Sequence, residues 1–173
     1  MKIIIIGASP ESLINFRGEL LSSLSLKNDV LAMASSIVEN VSYKLNKKNL
    51  SYKSFPVQNN GMNPFVDFGT WRALRKIFKL YRPSIIMAYT IKPIIWGGIA
   101  SKSVPDSRFY ALITGLGFAF QGDSFKRKFL TKLVTFLYKI ALKNSKAVIF
   151  QNTDNRDVFV SKGIVELSKT HVV

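Results

Sequence analysis

The chain of 173 residues is 47% hydrophobic and 20% charged, contains no cysteine, and sets 25 Lys and Arg against 10 Asp and Glu, for a net charge of +15. Its apolar content excludes disorder, the missing cysteine excludes a disulfide scaffold and a thiolate zinc site, and its length fits one domain with a substantial core. The charge asks for an anionic partner, whether nucleic acid, a phosphorylated ligand or an acidic membrane surface, and does not choose among them.

Residues 2–6 form an apolar run shorter than the ~7 to 15 residues of a signal-peptide core, so the chain is predicted to open on a strand and to reside in the cytosol. A helix is predicted over 12–26, then a strand over 29–34, a helix over 37–47 and a strand over 50–55. The cluster Gly61-Met62-Asn63-Pro64 marks a loop, followed by a helix over 65–81 that Pro83 stops. Next come a strand over 84–88, a helix over 93–103 with Pro93 in its first turn, and a strand over 109–113. Asp123 and Ser124 can cap a long helix over 125–143, which leads to a sixth strand over 147–150. The longest uncharged stretch, 109–122, is 14 residues with three glycines, below the ~18 to 20 of a spanning helix.

Strict β/α alternation with continuous apolar strands predicts an α/β fold: a Rossmann-like, doubly wound, mainly parallel sheet of six to seven strands with helices on both faces. Ligands of such sheets bind beyond the carboxyl ends of the strands. The segments placed there are Gly7-Ala8-Ser9-Pro10-Glu11-Ser12, Tyr89-Thr90-Ile91-Lys92, Thr114-Gly115-Leu116-Gly117 and Gln151-Asn152-Thr153-Asp154. Small, hydroxyl and amide residues thus gather along one edge, as a polar cleft requires.

The first of these turns carries one of the three glycines of the dinucleotide fingerprint, and no P-loop occurs, which argues against a nucleotide-binding oxidoreductase. Thr114 to Gly117 is either a tight strand-to-helix turn or a loop whose backbone N–H groups meet an anion or a sugar hydroxyl. Lys92 is either a phosphate-binding cation or a solvated lysine. His171 is the only histidine, so neither a histidine metal site nor a Ser-His-Asp triad can be built elsewhere. Residues 69–102 and 124–153 each hold seven Lys or Arg and no acid. In the second stretch Lys126, Arg127, Lys128 and Lys132 flank a broad apolar face, which suits either a helix at an anionic lipid surface or an ordinary sheet-covering helix with a basic rim. No nucleic-acid reading module accompanies the charge, so nucleic acid is not the expected partner.

Several segments together resemble one family. Ser12-Leu-Ile-Asn-Phe-Arg17, Asn63-Pro64, Tyr89-Thr-Ile-Lys-Pro93 with Gly97-Gly98, Thr114-Gly-Leu-Gly-Phe-Ala-Phe120, and the run from Phe150 to Phe159 with Gly163 are similar to the N-terminal domain of bacterial family 4 (group 1) glycosyltransferases of capsule, O-antigen and exopolysaccharide assembly. The resemblance implies half of a GT-B architecture, with the acceptor side over residues 1–173 and a donor-binding C-terminal domain outside this chain. It implies a retaining, metal-independent, cofactor-free transfer of a sugar from a nucleotide-sugar donor to a glycan or polyprenyl-diphosphate-linked acceptor, at the inner face of the plasma membrane. The substrate-binding residues it implies are Gly7, Ser9, Ser12, Arg17, Thr90, Lys92, Thr114, Gly115, Gly117 and Asn152, with Lys126, Arg127, Lys128 and Lys132 facing the membrane. Catalytic residues are not assigned, and an isolated half is expected to be inactive. The alternative is a non-catalytic, membrane-recruiting subunit of a split enzyme.

Overall fold

Four consecutive isoleucines explain the centre of the molecule. In the computed structural model, which describes residues 1–36, 45, 50–58, 63–116 and 125–173, β1 (Lys2–Ile6) lies between β2 (Asp29–Ala34) and β4 (Ile85–Tyr89). Side chains of a strand alternate faces, so Ile4 and Ile6 enter one core while Ile3 and Ile5 enter the other. A strand buried on both faces has no polar alternation to display, which is why it reads as one apolar run. The sheet continues through β3 (Ser51–Ser54) on one side and β5 (Arg108–Ile113), β6 (Ala147–Phe150) and β7 (Thr170–Val172) on the other. Its order is β3-β2-β1-β4-β5-β6-β7, and every pairing is parallel. This is the predicted Rossmann-like sheet, with seven strands.

Two short helices, α1 (Pro10–Asn15) and α2 (Gly18–Ser25), cover one face with Leu13 and Leu21. On the other face lie α3 (Pro64–Tyr81), α4 (Ile91–Ser101) and α5 (Phe125–Leu142), contributing Leu74 and Phe78, Ile94 and Ile95, and Val134 and Tyr138. A last helix, α6 (Thr153–Ser161), sends Phe159 edge-on to Tyr138 and Phe150, with ring centroids 5.0 and 5.3 Å apart.

The predicted helix over 12–26 is broken. Arg17, at φ −129°, leaves the helical conformation, and its carbonyl accepts from the Leu21 N–H at 2.8 Å to start α2. Helix α6 was not predicted, although Asn152 caps it through its side chain, which accepts from the Asn155 N–H at 2.8 Å. Helix α4 begins at Ile91, two residues ahead of Pro93, whose missing N–H costs nothing in a first turn. The helix predicted over 37–47 lies outside the described residues except for Leu45, which is buried.

Helices α4 and α5 meet at Gly98. A Cβ there would lie 2.6 Å from the Ala141 carbonyl oxygen, whereas one on neighbouring Gly97 would find ordinary contacts of 3.6 Å and beyond. Gly98→Ala is therefore expected to destabilise the chain by about 1–3 kcal/mol through overpacking. Gly97→Ala should be neutral or stabilising by up to about 1 kcal/mol, because glycine is a poor helix former. Urea unfolding of the two variants separates them.

Candidate functional site in the β1/β4 crevice

The strand order reverses direction between β1 and β4, and this is where a doubly wound sheet opens a crevice at its carboxyl edge. The turn after β1 is fastened by two backbone bonds, Gly7 N–H to Met33 O at 2.9 Å and Ser35 N–H to Ala8 O at 3.3 Å. Across the crevice, Tyr89 ends β4. Its hydroxyl and Cζ occupy the space that any Cβ on Gly7 would need, so Gly7 is the notch that admits the tyrosine ring.

The tyrosine is fixed at its far end as well. Ser12 Oγ spends its one hydrogen on Ser9 O at 2.7 Å, so the 2.8 Å contact between Tyr89 Oη and Ser12 Oγ has the tyrosine as donor. Burial pushes the Tyr89 phenol above its ordinary range, with Ser12 and the Arg17 charge pulling partly back, so it remains a protonated donor at neutral pH.

Arg17, placed by the break between α1 and α2, stacks its guanidinium over the Tyr89 ring, 5.3 Å from the centroid. One terminal nitrogen donates to Phe16 O at 2.9 Å, while Nε is buried without a partner. Thr90 stands opposite, with φ 66° and ψ 157°. That backbone region costs a residue other than glycine about 1–3 kcal/mol and is found where a site over-determines the chain. Its Oγ1 is also buried without a partner. Ser12, Arg17, Tyr89 and Thr90, together with Phe16, Thr114 and Gln151, enclose a cavity of about 300 Å³. Among the described residues, no carboxylate lines it. A wider hollow of about 580 Å³, lined by Lys79, Arg82 and Ser103 to Ser107 among others, lies by the amino ends of β4 and β5, away from the crevice.

Among the residues expected in the site, Ser12, Arg17, Thr90 and Thr114 line the cavity, and Gly7 shapes it. Ser9 is not among the lining residues; its hydroxyl donates to Glu11 and lowers that carboxyl's pKa. Gly115 adjoins Thr114, and a Cβ on it would meet nothing within 4 Å. Gly117 lies outside the described residues. Two others are engaged in contacts within the fold. Asn152 is committed to capping α6. Lys92 pairs with Asp67 of α3 at 2.8 Å, with side chains only 15% and 11% exposed, so its charge is spent between two helices. Sequence reasoning put Gln151 on the ligand edge without naming it among the substrate-binding residues, and it passed over the structural part of Tyr89. The latter had a signal, an aromatic residue at the carboxyl end of a buried strand, but its fit over Gly7 depends on β1 and β4 being neighbours.

Helix α5 carries a second surface. Phe129, Lys132, Phe136, Lys139 and Lys143 are exposed at spacings of 3, 4, 3 and 4, one outward stripe, while Val134, Tyr138, Ala141 and Leu142 face the core. Lys128 is exposed beside it, and Lys126 and Arg127 fall in the first turn of the same helix.

The glycosyl transferase 4-like family profile matches residues 19–152. An N,N'-diacetylbacillosaminyl-diphospho-undecaprenol alpha-1,3-N-acetylgalactosaminyltransferase of Campylobacter jejuni is 24% identical over 168 residues, 96% of this chain and 44% of that protein. Among solved structures, Anabaena Alr3699/HepE in complex with UDP and glucose superposes with a TM-score of 0.69 at 15% identity, covering 100% of this chain and 44% of that one. A glycosyltransferase from Rickettsia africae gives 0.67 at 17%, covering 99% and 42%. At such identities the structures speak for the fold alone, and this chain spans less than half the length of each relative. The profile, however, takes in well over half of the chain, which therefore belongs to the glycosyl transferase 4-like family.

Proposed function

We propose that residues 1–173 are the acceptor-side half of a retaining glycosyltransferase, which moves a sugar from a nucleotide-sugar donor to a polyprenyl-diphosphate-linked saccharide in bacterial surface polysaccharide synthesis. The observation that carries the reading is the β1/β4 crevice: a cavity at the switch point of a family member's sheet, furnished with hydroxyls, an amide and one stacked guanidinium. The printed name of the Campylobacter relative, a transferase acting on a diphospho-undecaprenol acceptor, supports the acceptor class.

In such a transfer the acceptor hydroxyl forms a bond to the anomeric carbon as the bond to the nucleoside diphosphate breaks, and the hydroxyl proton passes to the departing diphosphate. The contribution of this half is to hold the acceptor hydroxyl on the face of the sugar that the diphosphate leaves and to keep its anionic end in a fixed place, which removes the entropic cost of a bimolecular encounter. Stabilising the leaving diphosphate requires the other half as well, so residues 1–173 alone should turn over no donor. Purified polypeptide containing both halves, given a panel of nucleotide sugars and an undecaprenyl-diphosphate saccharide, should yield an extended lipid-linked product whose new linkage keeps the donor's anomeric configuration by NMR. Absence of product with every donor, or inversion at the anomeric carbon, contradicts the reading.

The α5 stripe gives the enzyme a way to reach a lipid-borne acceptor. Exposed phenylalanines among lysines suit the interface of the inner leaflet, where each basic residue contributes about 1 kcal/mol. Sedimentation should show binding to vesicles containing anionic phospholipid, weakening as salt rises, and little binding to neutral ones. Changing Lys132 and Lys139 to Glu should lower partitioning by about fivefold or more per position. Equal pelleting with both lipids, or with neither, removes the membrane contact from the account.

A further inference from the structure

Arg17 Nε and Thr90 Oγ1 are the buried side-chain nitrogen and oxygen atoms without a hydrogen-bond partner among the described residues, and both belong to residues lining the same cavity. Each unmet group of this kind costs about 1–3 kcal/mol, and the backbone of Thr90 adds its own strain. Two such costs in one cavity, where the other buried side-chain nitrogen and oxygen atoms of the described residues have partners, point to a ligand that meets them.

The donor set specifies its chemistry. A guanidinium only donates and carries a fixed positive charge, a free threonine hydroxyl can donate, and no carboxylate of the described residues lines the cavity with them. The complement is an anion with several acceptor oxygens, for which phosphate esters are the natural match.

Arg17 can serve such an anion only if its direction is fixed. The Tyr89 ring provides this: it is 3% exposed, its hydroxyl is bonded to Ser12, and its end sits in the notch over Gly7. We propose that the β1/β4 crevice is a diphosphate subsite in which Tyr89 is the positioning residue, its ring holding Arg17 so that the guanidinium and the Thr90 hydroxyl meet the same group of oxygens. The inference rests on the glycosyltransferase reading only for the source of the diphosphate, which is either the lipid-linked acceptor or the nucleotide sugar.

The test uses the polypeptide containing both halves, titrated calorimetrically with inorganic pyrophosphate and assayed for KM toward each substrate. Arg17→Gln should weaken pyrophosphate by about tenfold or more. Arg17→Lys should lose nearly as much, because it keeps the charge but not the stacked, forked geometry. Tyr89→Leu should follow Arg17→Gln, whereas Tyr89→Phe, which keeps the ring face, should restore affinity to within about threefold of the parent. A rise in acceptor KM at steady donor KM, with kcat little changed, identifies the lipid-linked diphosphate; the reverse identifies the nucleotide. Unchanged pyrophosphate affinity and unchanged KM values in Arg17→Gln overturn the subsite. Full retention in Arg17→Lys, or a Tyr89→Phe loss as large as that of Tyr89→Leu, overturns the positioning role. An inactive polypeptide with Arg17-dependent pyrophosphate binding would refute the transferase reading and leave the subsite, and an active one with Arg17-independent binding would do the opposite.

Discussion

Asp67→Ala is expected to lower the stability of the chain by about 2–4 kcal/mol. Asp67 and Lys92 sit 2.8 Å apart between the first turns of α3 and α4, and both side chains are almost covered. Removing one partner of a buried pair strands the other charge in a poorly solvated place, which costs about 3–5 kcal/mol when burial is complete. The residual exposure brings the expectation down a little. Replacing both residues with apolar ones of similar size, Asp67→Leu with Lys92→Met, should recover most of the loss, since the desolvation cost of the pair disappears with it. Urea unfolding of the single and double variants measures the difference. A single-variant loss below about 0.5 kcal/mol would show the pair to be screened by solvent and of the ordinary surface kind.

Gly7→Ala is expected to reduce kcat/KM of the two-half polypeptide by about a hundredfold, with a smaller loss of stability of about 1–3 kcal/mol. The added methyl group would overlap the end of the Tyr89 ring, and that ring has no free direction: Ser12 holds its hydroxyl and the sheet surrounds its body. Relief of the overlap therefore moves Tyr89, and with it the guanidinium stacked on its face. A displacement of about 1 Å in a group that positions substrate costs rate out of proportion to stability. Comparing kcat/KM with the melting midpoint of the same preparation separates the effects. If activity stays within about threefold of the parent, the notch has no part in the site.

How much of this was legible in the sequence depends on whether the physics was local. The isoleucine run of β1 and the regular β/α alternation declare a parallel sheet, because double-sided burial and crossover length are written in consecutive residues. The seventh strand closes the upper end of the expected range. The break at Arg17 is less visible: Leu13 and Leu21 keep helical spacing across it, so the apolar pattern reads through as a single helix, and only Gly18 marks the second start. Asn152 carries two readings at one position: its place assigns it to the ligand edge, and Asn followed by acid in the next turn is also the signature of the helix cap that it forms. Lys92 and Asp67 stand 25 residues apart, and no linear pattern couples them. The same holds for Gly7 and Tyr89. Their contact exists because β4 crosses to the side of β1, a fact of topology that places the two residues face to face and makes Gly7 necessary for a reason other than a pyrophosphate fingerprint.

The central claim is that the β1/β4 crevice receives the acceptor, and photo-crosslinking addresses it most directly. A polyprenyl-diphosphate saccharide carrying a small photoreactive group on its sugar, irradiated with the two-half polypeptide, should label peptides spanning Pro10–Asn15 and Arg17, and those spanning Tyr89 and Thr90, with competition by unmodified acceptor. Label confined to the opposite end of the sheet, around Arg82 and Ser103 to Ser107, or absent from residues 1–173 altogether, would contradict the account.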